Sequence, residues 1–596
     1  MTQNEYGLTE GPAPKNRTTD LQNWLSENDF AGFLMIRTDE FQGEYLPAYA
    51  ERLHWLTGFS GSAGVVVVGT QKSAIFVDGR YTVQIKKELD YDLYQKCHLV
   101  NEPAYQWIVD NFKSGDVIAY DSWLFTPNQI AVYEKALSEK GIVLQATENP
   151  IDLIWENQPA PPVGKVEVFP MEYAGVSHND KIEVIAKSLK QNNLDCCVLT
   201  MSCSIAWLFN IRGSDVPFNP VMLSYAIVNK DATAVIYADT NKIDDTIVKH
   251  LGDKVKVVDF TQVGEDFTKL SGNVGVDMGF TPLGLVDVIN DSDATVVSFN
   301  DMARHQKVFK NEAEQQAMRD CHIRDGAVMT RMLHWIDTTP IAEQNEWVNA
   351  RKLEEFRSNA DKFKDFSFDT ISGFGENGAI CHYRVSEESS LQFTDNNLYL
   401  LDSGTQYEDG TTDITRTMPI GTPTEEQKQD FTLVLQGLIA LTVANFPMDY
   451  TAEQIDCIAR APLFKHGKNY DHGTGHGVGC ALNVHEGPLY MSYRGRGVLF
   501  GEGAIISNEP GYYKAGEYGI RLENLMIAQK AKDGWFEWEN ITWCPIDTRM
   551  VNVEMLSSEE IDWLNNYHTQ VWEKISPLLK DEPEVYNWLM QACEPV

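Results

Sequence analysis

The chain has 596 residues, 43% of them hydrophobic and 11% aromatic, enough for three or four domains with ordinary cores at about 150 residues each. Its formal charge of −37 excludes nucleic acid and anionic membrane surfaces as partners by simple repulsion. No window approaches the roughly 20 apolar residues of a membrane span. Ten cysteines without a Cys-x-x-Cys pair read as reduced thiols, with Cys381 and Cys480 taken as small core residues.

Residues 1–17 are polar, carry Pro12 and Pro14, and lack the apolar stretch of a secretory signal. They are expected to be disordered, and cytoplasmic residence follows by default. Order is expected from Thr18, with Asp20 capping a helix through Glu27 and a strand over Phe33–Ile36. Val65–Val68 and Ala74–Val77 read as buried strands, and the segment from Tyr81 as helical. This first α/β domain spans 18–158.

A Pro-rich joint, Gln158 to Gly164, leads into a second α/β domain over 165–306. Its helix-then-strand pattern over Asp180–Leu199 repeats that of Asp20–Ile36, and Ser224–Tyr237 repeats Val65–Val77. The pair reads as two copies of one unit.

From 307 to 596 the character changes. Helices are expected over Glu312–Trp335 and Glu343–Asn359, then strands near Thr370 and over Leu398–Asp402, Asp413–Thr417 and Ala504–Asn508. That order predicts an α+β catalytic domain whose active residues lie on the sheet. An aromatic-rich, helical tail covers Ser557–Cys593.

The chemistry lies in this last region. Asp402 closes an apolar strand and Asp413 opens another, with Glu408-Asp409-Gly410 as the turn between them, so a hairpin can join the two carboxylates. Taken alone, each Asp suits a turn cap better than a ligand. His476 stands among Gly473, Gly475, Gly477 and Gly479, which permit close backbone approach and unusual dihedrals. These glycines argue against a helix, so His472 and His476 do not form a helical ligand pair. His476 is the expected ligand, with His472 and His485 supporting or facing substrate. Glu509 precedes Pro510-Gly511. Glu523 shares a strand face with Arg521, which is placed to orient carboxylates or offset their charge.

Four carboxylates and one imidazole are too many donors for one ion. They suit two hard divalent cations about 3.5–4 Å apart, Mn²⁺ ahead of Zn²⁺ or Co²⁺. Such a pair lowers the pKa of a bridging water from about 16 toward about 7 and so predicts hydrolysis by a bridging hydroxide. A nearby histidine would stabilise the tetrahedral intermediate or carry a proton.

These motifs, in this order, resemble the pita-bread metallopeptidases, which include methionine aminopeptidase, prolidase and aminopeptidase P. Asp402, Asp413, His476, Glu509 and Glu523 match all five of that family's ligands, unlike creatinase or the inactive histone-binding relatives. The resemblance implies that Asp413 and Glu523 bridge the ions, Asp402 serves one, and His476 with Glu509 the other. Phe374 to Tyr383 is similar to the aminopeptidase P segment whose histidine, here His382, faces substrate. Asn483 to Pro488 is similar to the segment carrying its intermediate-stabilising or proton-shuttling histidine, here His485.

Asp78-Gly79-Arg80-Tyr81, the duplicated first half and the tail around Trp563 to His568 resemble the long, three-domain Xaa-Pro aminopeptidases. That places two creatinase-like N-terminal α/β domains before the catalytic one, with Arg80 as a candidate substrate contact. The resemblance implies peptides with proline second as substrates, a homodimer, and His382, His472, His485 and Arg521 as catalytic groups. Prolidase, or an inactive peptide-binding module on the same scaffold, are the alternatives. One departure stands at Asp369, where the family carries Pro, just before the substrate-facing segment.

Overall fold

The computed structural model, which describes residues 13–89, 92–495 and 497–596, divides into two compact units. Of the described residues, the first comprises those in 13–171 and Val176–Ala303, the second Glu172–Gly175 and those in 304–596. The disorder expected for 1–12 lies outside the described residues. Residues 14–17, expected to be disordered too, are instead helical: Pro14–Glu27 is one helix with Pro14 in its first turn. Proline's fixed φ and missing N–H suit a first helical turn, so the helix starts ahead of Asp20.

The first unit holds two six-stranded sheets of identical plan. In one, β1 (Gly32–Ile36), β2 (Val65–Gly69), β3 (Ser73–Val77), β4 (Gln95–His98), β5 (Val117–Tyr120) and β6 (Val143–Ala146) run in the order β4-β3-β2-β1-β5-β6. In the other, β7 (Cys196–Leu199), β8 (Tyr225–Asn229), β9 (Ala234–Ala238), β10 (Val255–Asp259), β11 (Ser271–Val276) and β12 (Asp293–Ser298) run β10-β9-β8-β7-β11-β12. The second and third strands of each sheet pair antiparallel, as do the first and second. The remaining neighbours are parallel. The sequence repeat is thus a repeated topology.

β2 explains the run of valines. Val66, Val67 and Val68 are fully buried, and both faces of the strand are covered. Each such side chain contributes about 1.5–3 kcal/mol on leaving water.

The second unit opens with the helix Glu312–Thr338, started by a capping box between Asn311 and Glu314. Glu343 falls in a short 3₁₀ turn, Ile341–Glu343, and the next helix runs Glu346–Ser358. A three-stranded antiparallel sheet follows, Ile371–Phe374, Asn397–Ser403 and Ile414–Ile420 in chain order. A four-stranded sheet includes Ile505–Asn508, Asn524–Lys530 and Trp535–Asn540. The helices Glu425–Thr442 and Ala452–Phe464 lie between these sheets in sequence and supply Leu438, Leu441 and Ile455 to the core. The tail is two helices, Ser558–Ile575 and Pro583–Ala592, separated at Pro577, which cannot sit inside a helix without losing a hydrogen bond. Among the described residues, no helix is long and apolar enough to cross a membrane.

Candidate metal centre

Strand ends carry every residue of the expected ligand set. Asp402 lies in Asn397–Ser403 and pairs in register with Thr415, so Asp413, one residue before Ile414–Ile420, is its diagonal neighbour on the same face. Asn508 pairs with Asn524, so Glu509 and Glu523 stand at the next rung, where the two strands end. The strand expected to run unbroken through Arg521 and Glu523 is interrupted there: Tyr518–Arg521 ends and Asn524–Lys530 begins. Backbone contacts then join the pieces. Glu523 N donates to Thr415 O at 3.1 Å, and Glu509 N to Thr474 O at 2.8 Å.

His476 occupies the short strand Gly475–His476, not a helix. Its N–H donates to Ser507 Oγ at 2.9 Å. The surrounding glycines serve close approach only. A Cβ on Gly475 would sit 1.9 Å from Ser507 O, and one on Gly477 2.3 Å from Glu486 O. None of the four has the positive φ the sequence allowed for.

Ligand atoms of Asp413, His476 and Glu523 lie within 4.8 Å of one another. His476 Nε2 is 3.5 Å from both Asp413 Oδ2 and Glu509 Oε1. Nδ1 of the same ring is 3.0 Å from Gly477 O, which can only accept. Nδ1 therefore carries the proton, and the Nε2 lone pair faces the carboxylates, the tautomer a metal ligand needs.

Asp413 and Glu523 are both pushed well above the carboxylate range, first by burial and then by the other carboxylates of the group. Burial also raises Glu509, against the pull of His476 and Arg521. Asp402 Oδ1 and Glu523 Oε1 are buried and have no hydrogen-bond partner. Unpaired buried carboxylate oxygens are costly. The donor set and its orphaned oxygens fit hard divalent cations, which would supply the missing positive charge and coordinate those oxygens.

Arg521, 2% exposed, is the counter-charge present. It pairs with Asp402, donates through Nε to Thr415 Oγ1 at 3.2 Å, through Nη1 to Tyr513 Oη at 2.6 Å, and through Nη2 to Cys381 O at 3.3 Å. Asp402, not Glu523, is thus its partner. His472, expected among the catalytic histidines, has Nδ1 2.7 Å from Gly473 O and Nε2 2.8 Å from Tyr513 Oη. Nδ1 also lies 3.9 Å from Glu509 Oε2, so the ring stands between that carboxylate and the Tyr513 hydroxyl that Arg521 binds. The ring of His485 meets that of His476 edge-on at 4.5 Å between centroids. His382 is half-buried and follows Cys381, the residue that Arg521 holds. Arg80 belongs to the first unit, where Asp78 at 2.8 Å and Glu44 at 3.6 Å pair its guanidinium. Asp369 pairs with Arg384 at 2.7 Å, two residues past His382.

Several contributors escaped the sequence reading. Tyr513 lies inside the Glu509-Pro510-Gly511-Tyr512-Tyr513 stretch, but nothing in the spacing couples it to Arg521 and His472. Thr415 binds Glu523 Oε2 at 2.9 Å. Arg416, 1% exposed, donates to Glu523 O at 2.7 Å and to five further acceptors in the same core.

Comparison with known proteins identifies families over most of the chain. Residues 316–530 match metallopeptidase family M24, and 534–596 match its C-terminal region. Residues 17–153 and 157–314 each match a creatinase/prolidase N-terminal domain. A probable Xaa-Pro aminopeptidase P of Paracoccidioides brasiliensis (strain Pb03) is 36% identical over 612 residues, covering 97% of this chain and 99% of that protein. The chain belongs to metallopeptidase family M24. Another relative, a probable Xaa-Pro aminopeptidase P of Talaromyces marneffei, is 37% identical over 605 residues, covering 97% of this chain and 92% of that protein. The crystal structure of an X-prolyl aminopeptidase from Caenorhabditis elegans, described as a cytosolic enzyme with a di-nuclear active site, superposes with a TM-score of 0.93. It is 31% identical and covers 98% of this chain and 100% of that one. The architecture is therefore two creatinase-type N-terminal domains followed by the pita-bread domain of M24.

Proposed function

We propose that this chain is a dinuclear Xaa-Pro aminopeptidase that hydrolyses the first peptide bond of peptides with proline at the second position. The observation that carries the reading is the convergence of Asp402, Asp413, His476, Glu509 and Glu523, with two orphaned carboxylate oxygens among them. It does so in a chain collinear with relatives named for that activity.

Asp413 and Glu523 are assigned as the shared ligands, Asp402 to one ion, and His476 with Glu509 to the other. When bound, two divalent ions, Mn²⁺ first among them, supply a solvent nucleophile of lowered pKa and polarise the peptide carbonyl. Arg521 pairs with Asp402 and orients it. His485, beside His476, and His382 are assigned to the substrate. The leaving group is the proline nitrogen, which must take up a proton as the bond breaks, and an imidazole can donate it. Proline's tertiary amide offers no N–H donor, so selection rests on shape and on the held amine. Action in the cytoplasm is supported by the cytosolic relative and by ten free cysteines. The homodimer carries over from the family resemblance.

The test is turnover of an Arg-Pro-Pro peptide and of Xaa-Pro dipeptides by chelator-stripped protein before and after Mn²⁺ is restored. Release of the first residue from the longer peptide, only with metal, is expected. Cleavage confined to dipeptides would make the chain a prolidase, and no cleavage by metal-loaded protein would make it a peptide-binding module.

A further inference from the structure

Glu346 is the first residue of the helix Glu346–Ser358, and its side chain is wholly buried. Its carboxylate is surrounded by neutral donors. Oε1 accepts from Phe374 N at 2.6 Å. Oε2 accepts from Asn377 Nδ2 at 3.0 Å, Tyr383 Oη at 3.1 Å and Leu391 N at 2.8 Å. Burial raises this carboxyl to about 7, against the pull of those donors.

The four donors are distributed in an informative way. Phe374 ends the strand Ile371–Phe374, Asn377 lies in the 3₁₀ turn Gly375–Ala379, Tyr383 follows His382, and Leu391 is where the chain returns. One carboxylate therefore closes both ends of the excursion 374–391 and its middle. On the other side of His382, Cys381 O accepts from Arg521, which pairs with Asp402. His382 is thus flanked by two anchors, one to the carboxylate cluster and one to Glu346.

We propose that Glu346 is a positioning residue for His382, fixing the 374–391 excursion so that the imidazole stands where the proposed aminopeptidase reaction needs it. A buried carboxylate facing neutral donors is an expensive way to hold a loop, since burial disfavours the charge. It does, however, accept several bonds at one point and so specifies a single loop geometry. This inference rests on the functional reading above.

The test is a double-mutant cycle on the metal-loaded full chain with Glu346→Ala, Glu346→Gln and His382→Ala, measuring kcat, KM and bound Mn²⁺. Glu346→Ala is expected to keep its full metal content and to lose about 10²-fold in kcat, the scale of a misplaced catalytic group. Glu346→Gln is expected to lose less, because its carbonyl can take the donors of Oε2 while its amide meets Phe374 N–H. Neither should add to the loss caused by His382→Ala. Losses that multiply in the double variants, or wild-type kcat in both Glu346 variants, would overturn the positioning role. If Glu346→Ala does not fold, the Gln pair completes the same cycle. The underlying reading fails separately: wild-type chain that cleaves no Xaa-Pro peptide, or His382→Ala with wild-type kcat, removes it.

Discussion

Replacing Glu523 by Gln should act in opposite directions with and without metal. The ligand atoms of Asp413, His476 and Glu523 lie within 4.8 Å. Two unit charges at such a separation repel by about 3.5 kcal/mol for an effective dielectric constant of ~20. Metal-free protein already relieves part of this by holding protons, since burial and the neighbouring carboxylates push Glu523 well above its ordinary range. Gln can keep the bond from Thr415 Oγ1. A net gain of about 1–2 kcal/mol, or roughly 2–8 °C in Tm, is therefore expected for the metal-free variant. Saturating Mn²⁺ reverses the order. Wild type gains about 2.7 kcal/mol at a hundredfold excess over Kd, and a variant lacking one shared ligand gains less. Turnover of an Arg-Pro-Pro peptide should fall about 10³-fold or more, the several kcal/mol that bound metal contributes. Calorimetric Tm with and without Mn²⁺, beside kcat/KM, measures all of this. A variant less stable than wild type without metal, or one that keeps the Mn²⁺-induced shift and its turnover, would refute the reasoning.

Arg521→Met should do the reverse in metal-free protein, costing about 3–5 kcal/mol in urea unfolding because a buried carboxylate loses its partner; an unchanged midpoint would contradict this. Glu486 is buried between Lys307 at 2.9 Å and Lys310. Glu486→Gln should also cost about 3–5 kcal/mol by removing the buried negative charge that both ammonium groups face, and a loss below about 1 kcal/mol would show the triad to be unimportant. Asp413, Glu509 and Glu523 all have folded pKa values raised above the unfolded ones. The stability this confers is complete below the ordinary carboxylate pKa of about 4 and is lost as pH rises through the raised folded values. Metal-free Tm should therefore fall as pH is raised from the acid side through that window, and Mn²⁺ should flatten the slope; a metal-free Tm that rises with pH would contradict the assignment.

The candidate carboxylates Asp402, Asp413 and Glu509 were legible because residue type and local punctuation coincide, an acid at a strand end beside a turn or glycine signal, whereas Glu523 reads as mid-strand and only the fold breaks the strand there. The Asp402–Asp413 hairpin is local and its register follows from the turn between the strands. The repeated α/β unit was legible for the same reason, since buried strands read as apolar runs. Long-range coupling was not. His472 looks like any histidine near a glycine cluster until Tyr513 is seen against its Nε2. Glu346 reads as an ordinary helix-start acid, and its role depends on donors spread over 374–391 that only the fold collects. The glycines around His476 signal close approach correctly, but not which kind of backbone makes it. At Pro14, composition argued for disorder, whereas φ pre-organisation and the burial of Leu21 and Leu25 start a helix.

The most direct measurement is an anomalous difference map, recorded at the manganese edge, from crystals of the Mn²⁺-loaded protein. Two peaks about 3.5–4 Å apart are expected. One should be in reach of Asp402 and the other of His476 and Glu509, with Asp413 and Glu523 between them. A single peak, or none within reach of these five side chains, would contradict a dinuclear centre.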